Sequence, residues 1–599
     1  MSASRWLSFL LAVTLNVILV SSAPHLRADD FSFVILHNND MHGRFEETER
    51  NTGSCQKGNR NNTCIGGMAR TAHVIRAYRQ RAKESAGPPV LYLNAGDTFV
   101  GTTWFSLFTW NISSSFINLL KPDALSLGNH EFDLTEKALA PFISNLDAPV
   151  LAANLNFSQE PTLAGKVNGS TIVQLSGRQV GIIGYLTPET IKVSQVGKVT
   201  FEDEVPAVRR EAEALAAQGV NIIIALGHSG YNMDQTIARE VELVDIVVGG
   251  HTNTFLWNGA QPDSELIQDL YPKVITQESG KQVPVVQAYA YTKYLGVLNC
   301  SFDSNGDLTA FAGQPLLMST SIPQEADLLQ LLDVYRPAID ALNEEIIGYS
   351  RVFLDGDNWN CRHQECNLGN LVADALVSYA TSESTDRWSS VPIGLYNGGG
   401  IRNSITPQGE TGAVSRGDLI AVLPFGNQVV ELTLKGSDLL QAIEQMVRSQ
   451  GETSSGEFPQ VSGLRLVVDM NREPYSRVLS LKARCGICDV PVYETVVSDQ
   501  NYTLVTSSFL ADGGDGITVL SDKYLNKRVM DLGDLDATAN YITKYTPIYP
   551  EIQGRIRVQN STVEDNDEDS GNAGSRMGSS WMLLMLVCLL LPTVFQREV

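Results

Sequence analysis

Basic charge is scarce in this chain: 44 Lys and Arg stand against 67 Asp and Glu, a net charge of −23 over 599 residues. A polyanion-binding face needs a basic stripe, so a long nucleic acid is excluded as a partner, and any phosphate must be handled at a local site. Apolar runs are short. None reaches the roughly 20 residues of a membrane span, and the two that come nearest lie at the ends. Low-complexity tracts and short-period repeats are missing from the body of the chain. Cysteine is sparse, with 8 residues. What remains is 43% hydrophobic and 19% charged, an ordinary globular balance that excludes wholesale disorder. A prior of about one domain per 150 residues suggests two to four domains.

The ends carry addresses. Arg5, the apolar run from Trp6 to Val20, and small Ser21, Ser22 and Ala23 have the layout of a secretory signal peptide over 1–23. At the other end an acidic segment, the small polar residues Ser570 to Ser580 and an apolar tail from Trp581 to Phe595 match a GPI-attachment signal, with Asn572 the expected attachment residue. The rival reading is a transmembrane helix ending at Gln596-Arg597-Glu598-Val599. Either way the protein is expected on the extracellular face of the plasma membrane.

The cysteines suit an oxidising compartment. Cys55/Cys64, Cys361/Cys366 and Cys485/Cys488 form sequence-local pairs, Cys300 is left over on an apparent strand as a buried thiol, and Cys588 belongs to the tail. Cys485-Gly-Ile-Cys488 is open to a redox or half-zinc reading, and a short structural disulfide fits an extracellular protein best. Sequons at Asn61, Asn111, Asn156, Asn168, Asn299, Asn501 and Asn560 are permissive for glycosylation.

Between Phe31 and about Pro323 short apolar strands alternate with helical stretches: Phe33–Leu36, Val90–Leu93, Ala124–Leu127, Val180–Ile183, Ile222–Leu226 and Ile246–Val248. Continuous apolar runs of this kind are buried on both faces, which predicts a layered α/β domain. A helix-period stretch around Gln324–Glu345 predicts a connector. A second α/β region follows, with strands expected at Val352–Leu354, Ile393–Tyr396, Val429–Leu434, Leu464–Val468 and Tyr502–Val505.

The loops after the N-terminal strands share one character. They carry Asp40-Met41-His42, Gly96-Asp97, Gly128-Asn129-His130-Glu131-Phe132-Asp133, Gly227-His228 and Gly249-Gly250-His251-Thr252-Asn253. Open α/β sheets bind ligands at the carboxyl ends of strands, so five such loops can converge. Carboxylate with imidazole suits Zn²⁺ or Mn²⁺, and one carboxylate can bridge two ions about 3.5–4 Å apart. Asp40 and His42 are therefore assigned to one metal, Asp97 to both, and Asn129, His228 and His251 to the other, with Asn253 able to complete the set. Two metals point to displacement at phosphorus. His130, paired with Asp133, is placed to meet the phosphoryl oxygens. His25, His37 and His73 lack this setting and read as structural or surface residues.

These motifs resemble the signature of the calcineurin-like metallophosphoesterases. In the second region Cys361-Arg-His-Gln-Glu-Cys-Asn-Leu-Gly-Asn370, Asn397-Gly-Gly-Gly-Ile-Arg402, Leu423-Pro-Phe-Gly426 and Phe509-Leu-Ala-Asp-Gly-Gly-Asp-Gly516 resemble the substrate domain of the 5′-nucleotidase family, from Phe31 to about Val558. The resemblance implies a four-layer α/β sandwich over 31–325, a linker helix at 326–345 and a C-terminal α/β nucleotide-binding domain at 346–558. An acidic stalk at 559–572 and an attachment segment at 573–599 complete the order. It also implies two divalent ions, expected to be Zn²⁺, a nucleoside 5′-monophosphate substrate with AMP foremost, a homodimer, and rotation of one domain against the other.

In that setting Phe425 and Phe509 can sandwich a base, Arg362 and Arg402 offer forked donors to phosphate, Asp515 can accept from ribose, and Asn397 can bond the base edge. The chain departs from the vertebrate pattern of this family at Val372-Ala373-Asp374, where a further cysteine is expected. Alternatives within the same chemistry are an apyrase or nucleotide-sugar hydrolase. A catalytically silent nucleotide-binding receptor is the alternative outside it.

Overall fold

The computed structural model describes residues 31–50, 52–53, 55, 63–382, 388–449 and 456–559. The expected export signal, Asn572 and the attachment segment, and the sequons at Asn61 and Asn560 lie outside the described residues, as does His25.

The N-terminal apolar runs become the strands of two sheets. The first has the order Leu308–Gly313, Tyr294–Phe302, Phe31–Asn38, Val90–Asn94, Ala124–Ser126, Val150–Leu151. Its last four strands are mutually parallel, and Tyr294–Phe302 runs antiparallel to Phe31–Asn38. The second has the order Lys273–Thr276, Gln282–Val286, Ile246–Val248, Ile223–His228, Arg178–Leu186, Ser170–Leu175, with a parallel centre.

Strand side chains alternate faces, and the packing follows that period. Phe33, Ile35, Leu91 and Leu93 meet Val180, Ile182, Ile224 and Leu226 between the sheets. Val34, Leu36 and Tyr92 point outward among Ile75 and Phe116 of the helices Met68–Lys83 and Thr103–Leu120. Ile183, Ile223 and Val247 pack beneath Val208, Ala212 and Ile237 of the helices Glu204–Ala217 and Tyr231–Glu240. Helix, sheet, sheet and helix thus form four layers, as a strand apolar on both faces requires. The parallel strands end on one side, and there the site lies.

A helix spans Ala326–Glu344 and buries Leu328, Leu332 and Ile339. Beyond it, the C-terminal lobe has a five-stranded sheet, order Pro459–Ser462, Ile393–Asn397, Asn501–Ser507, Gln428–Lys435, Asn526–Gly533, and a four-stranded sheet, order Tyr493–Thr495, Val478–Arg484, Leu464–Asp469, Ile556–Gln559.

The expected strand at Val352–Leu354 does not form. The Ser350 side chain bonds both the Val352 carbonyl, at 2.8 Å, and the Val352 amide, at 3.3 Å, and this local loop competes with a ladder. The strand lies earlier, at Ile346–Tyr349, paired with Ala413–Ser415.

Disulfides join Cys55–Cys64, Cys361–Cys366 and Cys485–Cys488, and Cys300 is a buried free thiol. Asn111, Asn156, Asn168, Asn299 and Asn501 are all exposed, Asn299 on the outer face of its strand. His37 is buried against the Tyr271 hydroxyl at 2.8 Å, and His73 pairs with Glu325. No helix among the described residues is long and apolar enough to cross a membrane.

Candidate active site

Asp40, His42, Asp97, Asn129 and His251 follow strands, His228 ends one, and the structure brings the six together. Two donor clusters meet at Asp97: His42, Asp97 and His130 form one, and Asp97, His228 and His251 the other, with donor atoms in each within 4.8 Å of one another. Asp97 Oδ2 lies 3.0 Å from His228 Nε2 and 3.8 Å from His42 Nε2. Asp40 Oδ1 lies 3.8 Å from each of the same two nitrogens.

The backbone there is under strain. Asp40 (φ 49°), His42 (φ 47°), Asp97 (φ 54°), His251 (φ 80°) and Asn253 (φ 52°) occupy the left-handed region, at a cost on the order of 1–3 kcal/mol each. Such a conformation persists only where the surroundings dictate it. The Asp40 amide donates to the Gly96 carbonyl at 3.0 Å and the His42 amide to the Asp97 carbonyl at 3.0 Å. Glycine allows the close approach: a Cβ on Gly128 would stand 2.2 Å from Asp97 Oδ1.

Each imidazole is oriented by its second nitrogen. His228 Nδ1 donates to the Ala95 carbonyl at 2.7 Å, and His42 Nδ1 lies 3.2 Å from the Phe99 carbonyl, so both Nε2 atoms face the carboxylates. His251 Nδ1 and Asn129 Oδ1 lie 2.9 Å apart.

Two buried oxygens in this cluster, Asp40 Oδ1 and Asn253 Oδ1, have no hydrogen-bond partner. Unpaired lone pairs converging from carboxylate and amide, beside imidazole nitrogens that face the same point, are what a divalent cation satisfies. Charge agrees with that fit. Burial raises the Asp40 carboxyl to about 6, against the pull of His228. Burial also acts to raise Asp97, but His228, His130 and His42 outweigh it and hold that carboxyl well below its usual range. Burial acts to lower His228, and Asp97 and Asp40 overcome it to lift the imidazole to about 10, so a proton on His228 takes the electrostatic place of a cation. His251 is pushed down to about 3 by burial and by His228.

His130 is distinct from the other imidazoles in its cluster. Its Nδ1 lies 2.5 Å from Asp133 Oδ2, and Asp133 Oδ1 accepts from the Ser194 hydroxyl at 2.7 Å. Burial acts to lower its pKa, while Asp133 and Asp97 raise it above the ordinary value. Held at Nδ1 by Asp133, His130 turns Nε2 toward the Arg402 guanidinium.

The C-terminal lobe reaches the same point. Arg402 Nη2 lies 3.3 Å from His130 Nε2 and 3.5 Å from His42 Nε2, and its guanidinium stands 5.7 Å from the Phe425 ring centre. Phe425 stacks on His130 with centroids 6.0 Å apart and packs on the N-terminal core. Asn397 Nδ2 donates to Asp515 Oδ2 at 2.7 Å. Burial and Glu457 raise Asp515 to about 6. Arg362 is buried, and burial with neighbouring Arg402 lowers its pKa to about 10. Phe509 packs against the C-terminal core, and no ring contact joins it to Phe425 among the described residues.

Several supporting residues escaped sequence reasoning. Glu131 is fully buried, and its carboxylate accepts from the amides of Asp97 (3.0 Å), Thr98 (2.8 Å), Phe99 (3.1 Å) and Gly128 (2.6 Å), so one side chain clamps two ligand loops. A Glu three residues after the cap Gly128 was the available signal, because a carboxylate there can accept from the cap amide. Asn39 likewise donates to Asp40 Oδ2 at 2.6 Å and accepts from the Ala288 amide at 2.9 Å.

Comparison with known proteins agrees with this geometry. The calcineurin-like phosphoesterase family matches residues 33–255, and the 5′-nucleotidase C-terminal domain matches residues 346–522. A curated protein of Lutzomyia longipalpis is 42% identical over 570 residues, covering 94% of this chain and 98% of its own. The 5′-nucleotidase of Mus musculus is 40% identical over 539 residues, covering 88% and 91%. Among solved structures, a 5′-nucleotidase precursor from Thermus thermophilus superposes with a TM-score of 0.80 at 34% identity, covering 88% of this chain and 100% of its own.

Proposed function

The chain belongs to the 5′-nucleotidase family of nucleotide-hydrolysing enzymes, and on that premise we propose that it removes the 5′-phosphate of nucleoside monophosphates, AMP foremost, at a two-metal site on the extracellular surface. The family implies divalent ions, and the donor set described above fits them. We assign Asp40 and His42 to one ion, Asp97 to both, and Asn129, His228 and His251 to the other. Zn²⁺ suits these nitrogen and oxygen donors. When bound, the ions polarise the phosphoryl oxygens and lower the pKa of water.

The rest is done by the chain's own side chains. Glu131 and Asn39 hold the ligand loops in their strained conformation. His130, oriented by Asp133 and Ser194, donates from Nε2 to the phosphoryl oxygen on which charge develops. Arg402 and Arg362 bind the phosphate from the other lobe. Phe425 and Phe509 stack the base, and Asn397 orients Asp515 toward the ribose.

One observation carries this reading: Arg402 of the C-terminal lobe and His130 of the N-terminal lobe converge within 3.3 Å beside the shared Asp97. A phosphate placed there meets both lobes at once. The GPI anchor and the homodimer stay part of the proposal. For the latter, Leu479, Ile487, Val490, Val492 and Val497 expose apolar surface around the edge strand Tyr493–Thr495. The test is phosphate release by purified ectodomain from AMP, ADP, ATP and UDP-glucose in parallel. A preference for ADP or ATP over AMP overturns the monophosphatase reading.

A further inference from the structure

Arg44 is two residues beyond His42 and is buried to 1% exposure, yet no carboxylate pairs with it among the described residues. Both terminal nitrogens of its guanidinium are directed, while Nε has no hydrogen-bond partner. Nη1 donates to the His42 carbonyl at 2.8 Å, and Nη2 donates to Asn403 Oδ1 at 2.6 Å. The guanidinium lies 4.4 Å above the Tyr291 ring. Asn403 follows Arg402 directly and is also buried. Its Nδ2 donates to the Gly101 carbonyl at 3.0 Å in the N-terminal lobe and to the Ala421 carbonyl at 3.3 Å in its own. Gly101 makes the space: a Cβ there would stand 2.2 Å from Arg44 Nη1 and 2.9 Å from the His42 carbonyl oxygen.

Burying an arginine beside Arg402 without a counter-ion is costly. Burial, and Arg402 nearby, act to lower the Arg44 pKa, which falls to about 10. A residue that served only packing would not carry a charge there. Its position explains the charge. Arg44 holds the backbone of His42 with one nitrogen and the neighbour of Arg402 with the other. It therefore ties the proposed metal loop to the proposed phosphate-binding loop across 359 residues of sequence.

We infer that Arg44 and Asn403 form a positioning pair that sets the Arg402 guanidinium against the His42 and His130 imidazoles. This rests on the phosphohydrolase reading above. Neither residue touches the reacting atoms. Without the pair, Arg402 and the metal loop still exist, but their relative placement loosens, and a misplacement on the order of 1 Å costs about 100-fold in rate.

The test compares Asn403→Ala, Arg44→Lys and the double variant in turnover of AMP, in metal content and in melting temperature. Asn403→Ala is expected to lower kcat about 10- to 100-fold with KM changed less than about threefold and metal content unchanged. The double variant is expected to be no slower than the slower single, and its melting temperature to show the same non-additivity. Thr406→Val, which removes a rim contact between the lobes to Glu49, is the control and keeps kcat within about twofold. Unchanged kcat in Asn403→Ala, or losses that multiply in the double variant, overturns the pair. If wild-type protein releases no phosphate from AMP, the functional reading fails. The melting cycle then still decides the pair, which stands if the melting effects are coupled and falls if they add.

Discussion

The two lobes build their functional loops in opposite ways. In the N-terminal lobe five non-glycine residues at the site adopt positive φ, and four of them, Asp40, His42, Asp97 and His251, are fixed through their backbone amides. In the C-terminal lobe only Asp515 among the predicted substrate-binding residues does so, at φ 53°, and its neighbours are glycines. The first site is stiff before any ligand arrives. The second is assembled from Gly-bearing loops otherwise at ordinary backbone angles, tied by contacts such as Asn397 to Asp515 and Arg448 to the Asp515 carbonyl. A metal cluster needs fixed donors at fixed distances, whereas nucleotide binding tolerates adjustment.

If that contrast holds, damage to the metal loops of the N-terminal lobe removes chemistry, and damage to the base-binding rings of the C-terminal lobe removes affinity first. The largest effect is expected from Asp97→Asn, which takes the shared carboxylate from both donor clusters. Turnover of AMP should fall by more than about 1,000-fold, or about 4 kcal/mol of barrier, and measured metal content should drop with it. Chelation of the wild-type protein should abolish phosphate release, and added Zn²⁺ should restore it. Retained turnover in either case would remove the metal assignment.

His130→Asn comes next. Loss of a preorganised donor costs about 100- to 1,000-fold in kcat. Here KM and metal content are expected to stay near wild type, because His130 Nδ1 is committed to Asp133 and its Nε2 faces Arg402. A matching loss of metal would instead place His130 among the ligands.

How far this was readable beforehand follows from the same contrast. Buried parallel strands appear as apolar runs, so the loops behind Phe33–Leu36 or Ile246–Val248 could be found and their donors grouped. The layered α/β class followed from that alternation, and the four layers from the family resemblance. Half-exposed ribbons were harder. Val478–Arg484 alternates buried and exposed residues around short apolar stretches, and its partner Tyr493–Thr495 is mostly exposed. At Val352–Leu354 an apolar triplet suggested a strand where Ser350 makes a turn. Glu131 and Asn39 were visible as letters beside the ligands, but their work is to accept or donate to backbone atoms of other loops. The Arg44 to Asn403 contact spans the whole molecule and has no local signature.

A smaller effect sharpens the claim of stiffness. Glu131→Gln keeps the size of the side chain but gives one acceptor oxygen where the carboxylate has two, each taking two amide protons. Partners of metal ligands cost about 10- to 100-fold in metal affinity when altered. Metal titration of apo protein should show that loss, with kcat recovering at saturating Zn²⁺. A kcat that stays depressed at saturation would mean that Glu131 acts on the chemistry and not on the loops.

The smallest effects separate the two aromatic residues. Phe509 packs on the C-terminal core, whereas Phe425 packs on the N-terminal core and stacks on His130 at 6.0 Å. Stacking on a base contributes about 1–3 kcal/mol, so Phe509→Leu is expected to raise KM for AMP about tenfold with kcat unchanged. Phe425→Leu should raise KM similarly and also lower kcat, because the ring that would carry the base also borders the imidazole that would meet the phosphate. An unchanged kcat in both variants would show that both rings act only on the base. An effect on kcat from Phe509 alone would reverse the division between a lobe that performs chemistry and a lobe that holds substrate.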